Sequence, residues 1–580
     1  MKRCTLSIAV FFFAGFICPS LTASQSVAPV DKGPVVTKES KLQSIQNIGQ
    51  WVAGLRDDNM SALTMAQMAD VSWSQYEEHA RGLFAHSLNK AAILQNDTPK
   101  QVTQKITLNK KIVSLIAKRD KAWARTLIDS LSKDESKRSS TNLETAQNLI
   151  ESDPGAAAEF AGRSMENEYP PLFMNFLNEL RRTEPAAADR MFAELISKYP
   201  RYATVDANQY SSLGTYIFTG PGIDPNDFGT IVMTRVGNLF MPNITVNRPG
   251  VPPGLITNYI RSALQLMQRP SPDPGQAHIK YALGYLLLPK TKVLSPGMHA
   301  ELVATMAMLS ASVPPELTAD DAFKYMTPKP PSTPEDRIKE IEKNADSYAR
   351  DQLFMDMAFH ALKKNDFATA SFATSKIENE KIQSELETLI AFCEINNLLK
   401  AKKVDFETAA KGVDKLPETL EKIMLNLRFA TIAADAKNIA IQRERLDLAH
   451  GTAKRLNDDH SPFILLYIAA QMKRIKEPYA STVMAEAVKS FNKTPEIKDP
   501  VYERRLIMEP LTLRFPLNQK DVNLSFQASF GVAIADNEEE ALSMVNDILD
   551  ERLKAQAYVA LTRAYLAKPL TPLPVRQAAN

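Results

Sequence analysis

The chain has 580 residues, 44% of them apolar and 23% charged, with 69 Lys+Arg against 67 Asp+Glu. That composition is globular and excludes disorder throughout, and the near-neutral charge argues against a dedicated nucleic-acid binder. Three cysteines in this length exclude a disulfide scaffold.

The first segment carries an address. Lys2 and Arg3 precede an almost unbroken apolar run from Leu6 to Ile17, and Leu21-Thr22-Ala23 ends in a small residue. This is the three-part pattern of a secretory signal, residues 1–23. The run is shorter than the ~20 residues needed to span a bilayer, so a permanent anchor is not expected. Cys18 follows Phe16-Ile17, whereas a lipoprotein signal has a small residue directly before its cysteine. Cleavage after Ala23 removes Lys2, Arg3, Cys4 and Cys18, leaving a neutral chain with Cys393 as its one thiol. The expectation is an exported protein, periplasmic or extracellular, without stable membrane insertion.

Residues 24–44 read as a loose polar leader. From Ile45 onward the period is helical. Leu353, Phe354, Met357, Ala358, Ala361 and Leu362 draw one apolar stripe, and Ile382, Leu386, Leu389, Ile390 and Cys393 draw another. Thr98-Pro99, Asp153-Pro154, Ser295-Pro296, Thr333-Pro334, Ser461-Pro462 and Thr494-Pro495 pair a capping residue with a proline suited to the first helical position. Asp536, ahead of Glu538-Glu539-Glu540, is a further helix start.

The helices repeat. Asp366-Phe-Ala-Thr-Ala370 recurs as Asp405-Phe-Glu-Thr-Ala409, and Ile377 and Leu416 follow at the same shift. A weaker copy runs from Glu540-Ala541 through Ile548 to Leu566. In the first half, the Pro154 segment PGAAAEFA returns from Pro185 as PAAADRMFA. Each unit is about two short helices, and one such hairpin cannot bury its apolar face alone. The fold expected is all-α, an α-solenoid of helical-hairpin repeats near the tetratricopeptide and HEAT periods, with neither consensus met.

Two segments interrupt it. Ten of the 20 glycines and 13 of the 36 prolines fall between Asp206 and Pro315. Within that stretch, residues 214–254 are aromatic, β-branched and turn-rich, too long for an ordinary connection. They form either a lid or binding loop, or a small β-element plugged into the array. Residues 327–334 read as a Pro-rich linker. It divides an N-terminal helical region, 45–326, from a C-terminal one, 335–567, with 568–580 as a disordered tail.

The phrases DPGAAAEFA, TYIFTGPGID, NITVNRPGVPP and SVPPEL resemble an uncharacterised group of secreted helical-repeat proteins of environmental bacteria, over roughly residues 140–330. The resemblance implies an exported helical array and carries no activity.

Chemical motifs are few. Phosphate-binding, HExxH, CxxC, GxSxG and EF-hand patterns are missing from the sequence. Gly220-Pro-Gly222 opens like a dinucleotide loop, but Pro225 holds the third glycine position. The S-x-x-K matches at Ser130 and Ser490 lack their partner motifs. His79 and His86 lie seven apart, a poor metal spacing, and His360 and Cys393 fall on apolar stripes. Asp224 and Asp227 are weak as a hydrolytic pair. Residues 99–138 hold eleven Lys/Arg against four Asp/Glu, either an anion-binding face or a face balanced by neighbouring repeats. Trp51, Trp73 and Trp123 suit a core. No cofactor, metal or catalytic residue is expected.

The expected function is therefore a scaffold that binds a protein or peptide. The alternative is an α/α cell-wall or glycan-binding protein or hydrolase. Either way, the contact is expected at the central insertion, through Tyr216, Phe218, Phe228, Phe240 and Arg248. A long ordered insertion has an entropic cost that stacking alone does not require, and low charge with aromatic area suits an anchor. The competing reading is that these side chains plug the junction between helices.

Overall fold

The structure is a computed structural model. It describes residues 36–571 except 95–96, 132–134, 171, 203–204, 220–232, 237–238, 243–245, 271–273, 295, 314–333, 345, 402–403, 457, 495–496, 498–500, 510, 518–521 and 535–537. Most of the described chain is helical, and the fold is an α-solenoid of helical hairpins. Asp536 and the 327–333 stretch lie outside the described residues.

Local chemistry sets the helix ends. Thr98 accepts from the Gln101 N–H at 3.3 Å and Gln101 accepts from the Thr98 N–H at 3.0 Å, a reciprocal cap with Pro99 in the first turn. Asp153 accepts from the Ala156 N–H at 2.9 Å. Helices also follow at Pro296 and Pro334. One pair departs from expectation. Ahead of the Ser461–Arg474 helix the capping carboxylate is Asp458, which accepts from the Ser461 N–H at 3.0 Å. The Thr494 hydroxyl donates back to the Ser490 carbonyl at 3.1 Å, closing the Ala480–Phe491 helix, and Pro495 lies outside the described residues. The first described helix, Lys38–Ala53, begins inside the expected leader because Thr37 and Ser40 cap it reciprocally.

The repeat survives in three dimensions. Asp366 and Asp405 each cap a helix, Phe367–Ser375 and Phe406–Lys415, accepting from Thr369 and Thr408 N–H groups at 3.1 Å. Ala370 and Ala409 are fully buried, and Ile377 and Leu416 are buried at the same shift. A second recurrence was not read from the sequence. The turns between paired helices place Asn365, Lys437 and Lys476 in the left-handed region, each at φ 57°. The next N–H in each turn returns to a carbonyl of the finished helix: Asp366 to Ala361, Asn438 to Ala433, Glu477 to Met472.

Each hairpin has a first and a second helix. Some first helices pack on the next first helix: Phe526–Ala533 on Ser461–Arg474, Glu551–Ala567 on Phe526–Ala533, Pro99–Ala117 on Asp58–Ser72, and Glu135–Leu149 on Pro99–Ala117; elsewhere the second helix makes the contact, as Ile439–Leu456 does on Ser461–Arg474. Second helices pack mainly on their own partner, as Ile439–Leu456 does on Leu420–Asp435 and Pro154–Ser164 on Glu135–Leu149.

The order in space is not the order in the chain. The last helix, Glu551–Ala567, packs on Asp58–Ser72 and on Lys38–Ala53, so the two chain ends build one hairpin. Lys41, buried, donates to the Leu566 carbonyl at 3.0 Å and to that of Lys568. Glu551 accepts from the Arg56 and Asp57 N–H groups at 3.2 and 3.1 Å. Trp51 stacks on Tyr558 at 6.3 Å and stays 42% exposed rather than entering the core. Val36 and Thr571 exchange hydrogen bonds of 2.9 and 3.0 Å, so the first residues of the expected tail are ordered. Asp58–Ser72 then serves two cores: Met65 and Met68 join that of the C-terminal hairpins, and Ala62, Ala66 and Ala69 that of the N-terminal ones.

Two β-elements interrupt the helices. In the central insertion Phe218–Thr219 pairs with Val246–Asn247, and Met233–Val236 with Leu239–Pro242, both antiparallel. The other was not expected. Glu503–Met508 and Leu511–Pro516 form an antiparallel hairpin in the C-terminal half. It lies across the first-helix row. Leu506 and Met508 are buried, Phe515 meets Phe359 edge-on at 5.9 Å, and Gln352 donates to the Met508 and Glu509 carbonyls at 3.0 and 2.7 Å.

A lysine in the left-handed region carries a Cβ penalty that glycine avoids, partly offset by the larger unfolded-state entropy of glycine. Lys437→Gly and Lys476→Gly are expected to stabilise the protein by about 0.5–1 kcal/mol each, and Lys437→Val to destabilise it. Urea midpoints of the three variants check this.

Candidate functional site

In the central insertion the candidate side chains that the structure describes are buried, while Pro249, Pro252 and Pro253 are exposed. Tyr216 is fully buried, stacks on Phe192 at 4.4 Å and donates to Asp189 at 2.8 Å, while Arg181 donates to its hydroxyl at 3.1 Å. Phe218, also buried, meets Tyr259 edge-on at 6.0 Å. Arg248 is buried and donates to Asn178 at 3.2 Å and to the Tyr216 carbonyl at 3.3 Å. Burial pushes its pKa down to about 10, and the like charge of Arg181 adds to the shift. These three side chains sit together as a plug between helices. Phe240 lies in the Leu239–Pro242 strand, and Phe228, Asp224 and Asp227 lie outside the described residues.

The other candidates resolve similarly. His79 is half-buried and His86 exposed. Among the described residues no group of three or more His, Cys, Asp or Glu is placed to hold a metal. His360 lies off the buried stripe, exposed, 3.3 Å from Asp356 one turn earlier; Leu353 is also exposed. Cys393 is buried, and burial pushes its thiol up to about 12. The basic stretch is balanced by neighbouring acids: Lys121 pairs with Asp153 at 2.5 Å, Lys110 with Glu144 at 3.4 Å, and Arg119 with Asp70 at 2.6 Å. Trp73 and Trp123 both pack on Phe84.

The concavity that stands out is elsewhere, in the C-terminal half. A pocket of about 970 Å³ opens where the β-hairpin meets the starts of the Leu420–Asp435 and Ser461–Arg474 helices. Its volume is at the upper end of the range for small-ligand sites. The floor is apolar: Phe463 and Phe491, edge-on at 4.9 Å, with Leu517, all buried. One rim carries Asp458, Asp459 and His460, and the other Glu503, Arg504 and Arg505.

Two charge pairs frame this pocket. Glu421, in the first turn of its helix, is fully buried, and Arg504 holds both its oxygens at 2.5 and 2.7 Å. The hydrogen bonds to Glu421 raise the Arg504 pKa over the opposing effect of burial. The pair ties the hairpin to the helix row, since a lone buried carboxylate is costly. Opposite, His460 lies 3.2 Å from Asp458 and 3.2 Å from the Val501 carbonyl. The hydrogen bond to Asp458 raises the His460 pKa, more than burial lowers it. Burial pushes Asp458 up, but its bonds to His460 and Ser461 and the imidazolium charge hold it below the usual range. The Tyr502 ring lies 5.4 Å from His460, and its buried hydroxyl has no hydrogen-bond partner among the described residues. Ser461 does not complete a nucleophilic relay: its hydroxyl donates to the Ala453 carbonyl and approaches Asp458, each at 3.0 Å.

Sequence reasoning passed over this site because its parts are far apart in the chain, and Asp458-Asp459-His460 reads as a helix lead-in. The available signal was the alternation of Leu511, Leu513 and Phe515 with polar neighbours, a strand pattern outside the central segment.

No family model matches the chain, and no curated protein matches it. Among solved structures, one described as a circular tandem repeat protein with novel repeat topology and enhanced subunit contact surfaces is similar over 91% of this chain and 96% of its own, at 8% identity and a TM-score of 0.14. Among the described residues no helix is long and apolar enough to cross a membrane.

The raised His460 pKa fixes a pH dependence. Its contribution to stability is complete below the ordinary histidine value of 6.5 and is lost as pH rises through the higher folded value. Asp458 contributes above its ordinary value of 3.8 and loses its contribution as pH falls through the lowered one. His460→Asn is therefore expected to lower the melting temperature most near pH 5–6 and progressively less above about pH 7. Melting curves of both proteins across pH 4–9 check it.

Proposed function

We propose that this chain is an exported helical-repeat scaffold that binds a protein or peptide partner at the β-hairpin of its C-terminal half. The observation that carries the reading is the pocket beneath the β-hairpin, where an apolar floor of Phe463, Phe491 and Leu517 lies between two charged rims. An extended surface built from stacked helical hairpins is what helical-repeat proteins offer to partners. Apolar anchors ringed by polar groups are the usual anatomy of protein recognition. Export rests on the charged, apolar and small-residue order of residues 1–23. No chemical step is assigned to the site, because His460, Asp458 and Glu421 make capping and anchoring contacts.

A thermal-shift screen of the mature protein against peptide pools and soluble cell-wall oligosaccharides tests the binding class. Peptides are expected to raise the melting temperature. A shift with oligosaccharides alone would transfer the pocket to the glycan-binding alternative.

A further inference from the structure

The β-hairpin has two faces. Residues 504, 506 and 508 turn toward the helices, and 503, 505 and 507 turn away, with Ile507 56% exposed. On the outward face Arg505 stands directly opposite Arg514. Like charges directly across a strand pair are unfavourable. One carboxylate serves both: Glu503 accepts from Arg505 at 2.6 Å and lies 3.8 Å from Arg514. The two side chains nevertheless remain 52% and 62% exposed. Arg504, next in sequence, is held by Glu421 on the inward face, so the outward face keeps one guanidinium charge beyond its carboxylate.

The backbone adds a second feature. Leu517 N–H donates to the Tyr502 carbonyl at 2.8 Å, which sets the ladder in register with 504, 506 and 508 as the hydrogen-bonded positions. The N–H and C=O groups of Arg505 and Ile507 therefore point away from the partner strand. The pocket borders this strand, with Glu503, Arg504 and Arg505 in its wall.

We propose that the partner is an extended peptide with an acidic residue beside an apolar one. It adds along the outer edge of Glu503–Met508, its carboxylate meets Arg505 and Arg514, and its apolar side chain enters the pocket over Phe463 and Phe491. Strand addition supplies main-chain hydrogen bonds, and pockets for alternate side chains supply selectivity. A carboxylate matches the guanidinium fork in plane and charge and replaces Arg–Arg repulsion with attraction. The inference rests on the peptide-binding reading above and names the chemistry of its ligand.

The test is a random-dodecamer phage library panned on the mature protein, followed by titration of one enriched synthetic peptide. The expected consensus places Asp or Glu next to Leu, Phe or Tyr. Arg505→Gln/Arg514→Gln, both at exposed positions, should weaken the peptide about tenfold or more with an unchanged melting temperature. Methylation of the peptide's amide nitrogens one at a time should abolish binding at alternate positions. An acid-free consensus, or undiminished binding by the double variant, would overturn the carboxylate contact and leave the scaffold reading standing. Binding that tolerates every methylation would overturn strand addition. Failure to enrich any peptide would remove both readings.

Discussion

Everything else in this molecule depends on the packing of its first described helix against its last. Lys38–Ala53 and Glu551–Ala567 form a single hairpin from opposite ends of the sequence. Ile45, Ile48 and Val52 from one end are fully buried in the same core as Leu553, Val559 and Leu561 from the other. The free carbonyls at the end of the last helix would otherwise face solvent; Lys41 and Gln75 donate to that of Leu566. Without this hairpin the C-terminal array would end on an apolar face, and so would the N-terminal array.

The helix Asp58–Ser72 transmits the junction. Its methionines face one core and its alanines the other, so thioethers fill one side while small side chains let the N-terminal hairpins approach closely. One continuous array results, with its spatial ends near the Pro296–Ser310 and Pro334–Glu342 helices. Residues 314–333 join those ends covalently, and a chain of that length spans at most roughly 70 Å. The candidate pocket lies where the β-hairpin meets several helices, so a partner there can touch more than one helical hairpin at once.

Local features were legible in the sequence, and distant ones were not. The caps at Asp366 and Asp405 and the buried Ala370 and Ala409 follow from an i, i+3 side-chain bond and a helical period, both readable within ten residues. The turns at Lys437 and Lys476 were hidden because a left-handed residue is recognised by glycine or asparagine, and lysine gives no such sign. Asp458 was hidden behind Ser461, which has the right chemistry one turn too late. At the central insertion the sequence marked the right segment. Tyr216, Phe218 and Arg248 are set apart by their chemistry, but only the structure places Phe192, Asp189 and Asn178 around them and makes them core. The pocket joins residues 419 to 517, and the end-to-end hairpin joins residues 36 and 571; no local pattern encodes either pairing.

The most direct test of this account is a circular permutant. Its termini would be opened within residues 314–333, and Thr571 would be joined to Val36 through a short Gly/Ser linker, with residues 1–35 and 572–580 removed. The two old ends already exchange hydrogen bonds, so the join imposes no strain and turns a long-range contact into a local one. The expected product is a folded protein with unchanged helical circular dichroism, a single cooperative transition and a melting temperature at or above that of the parent. An unfolded product, or two transitions that separate the halves, would contradict it.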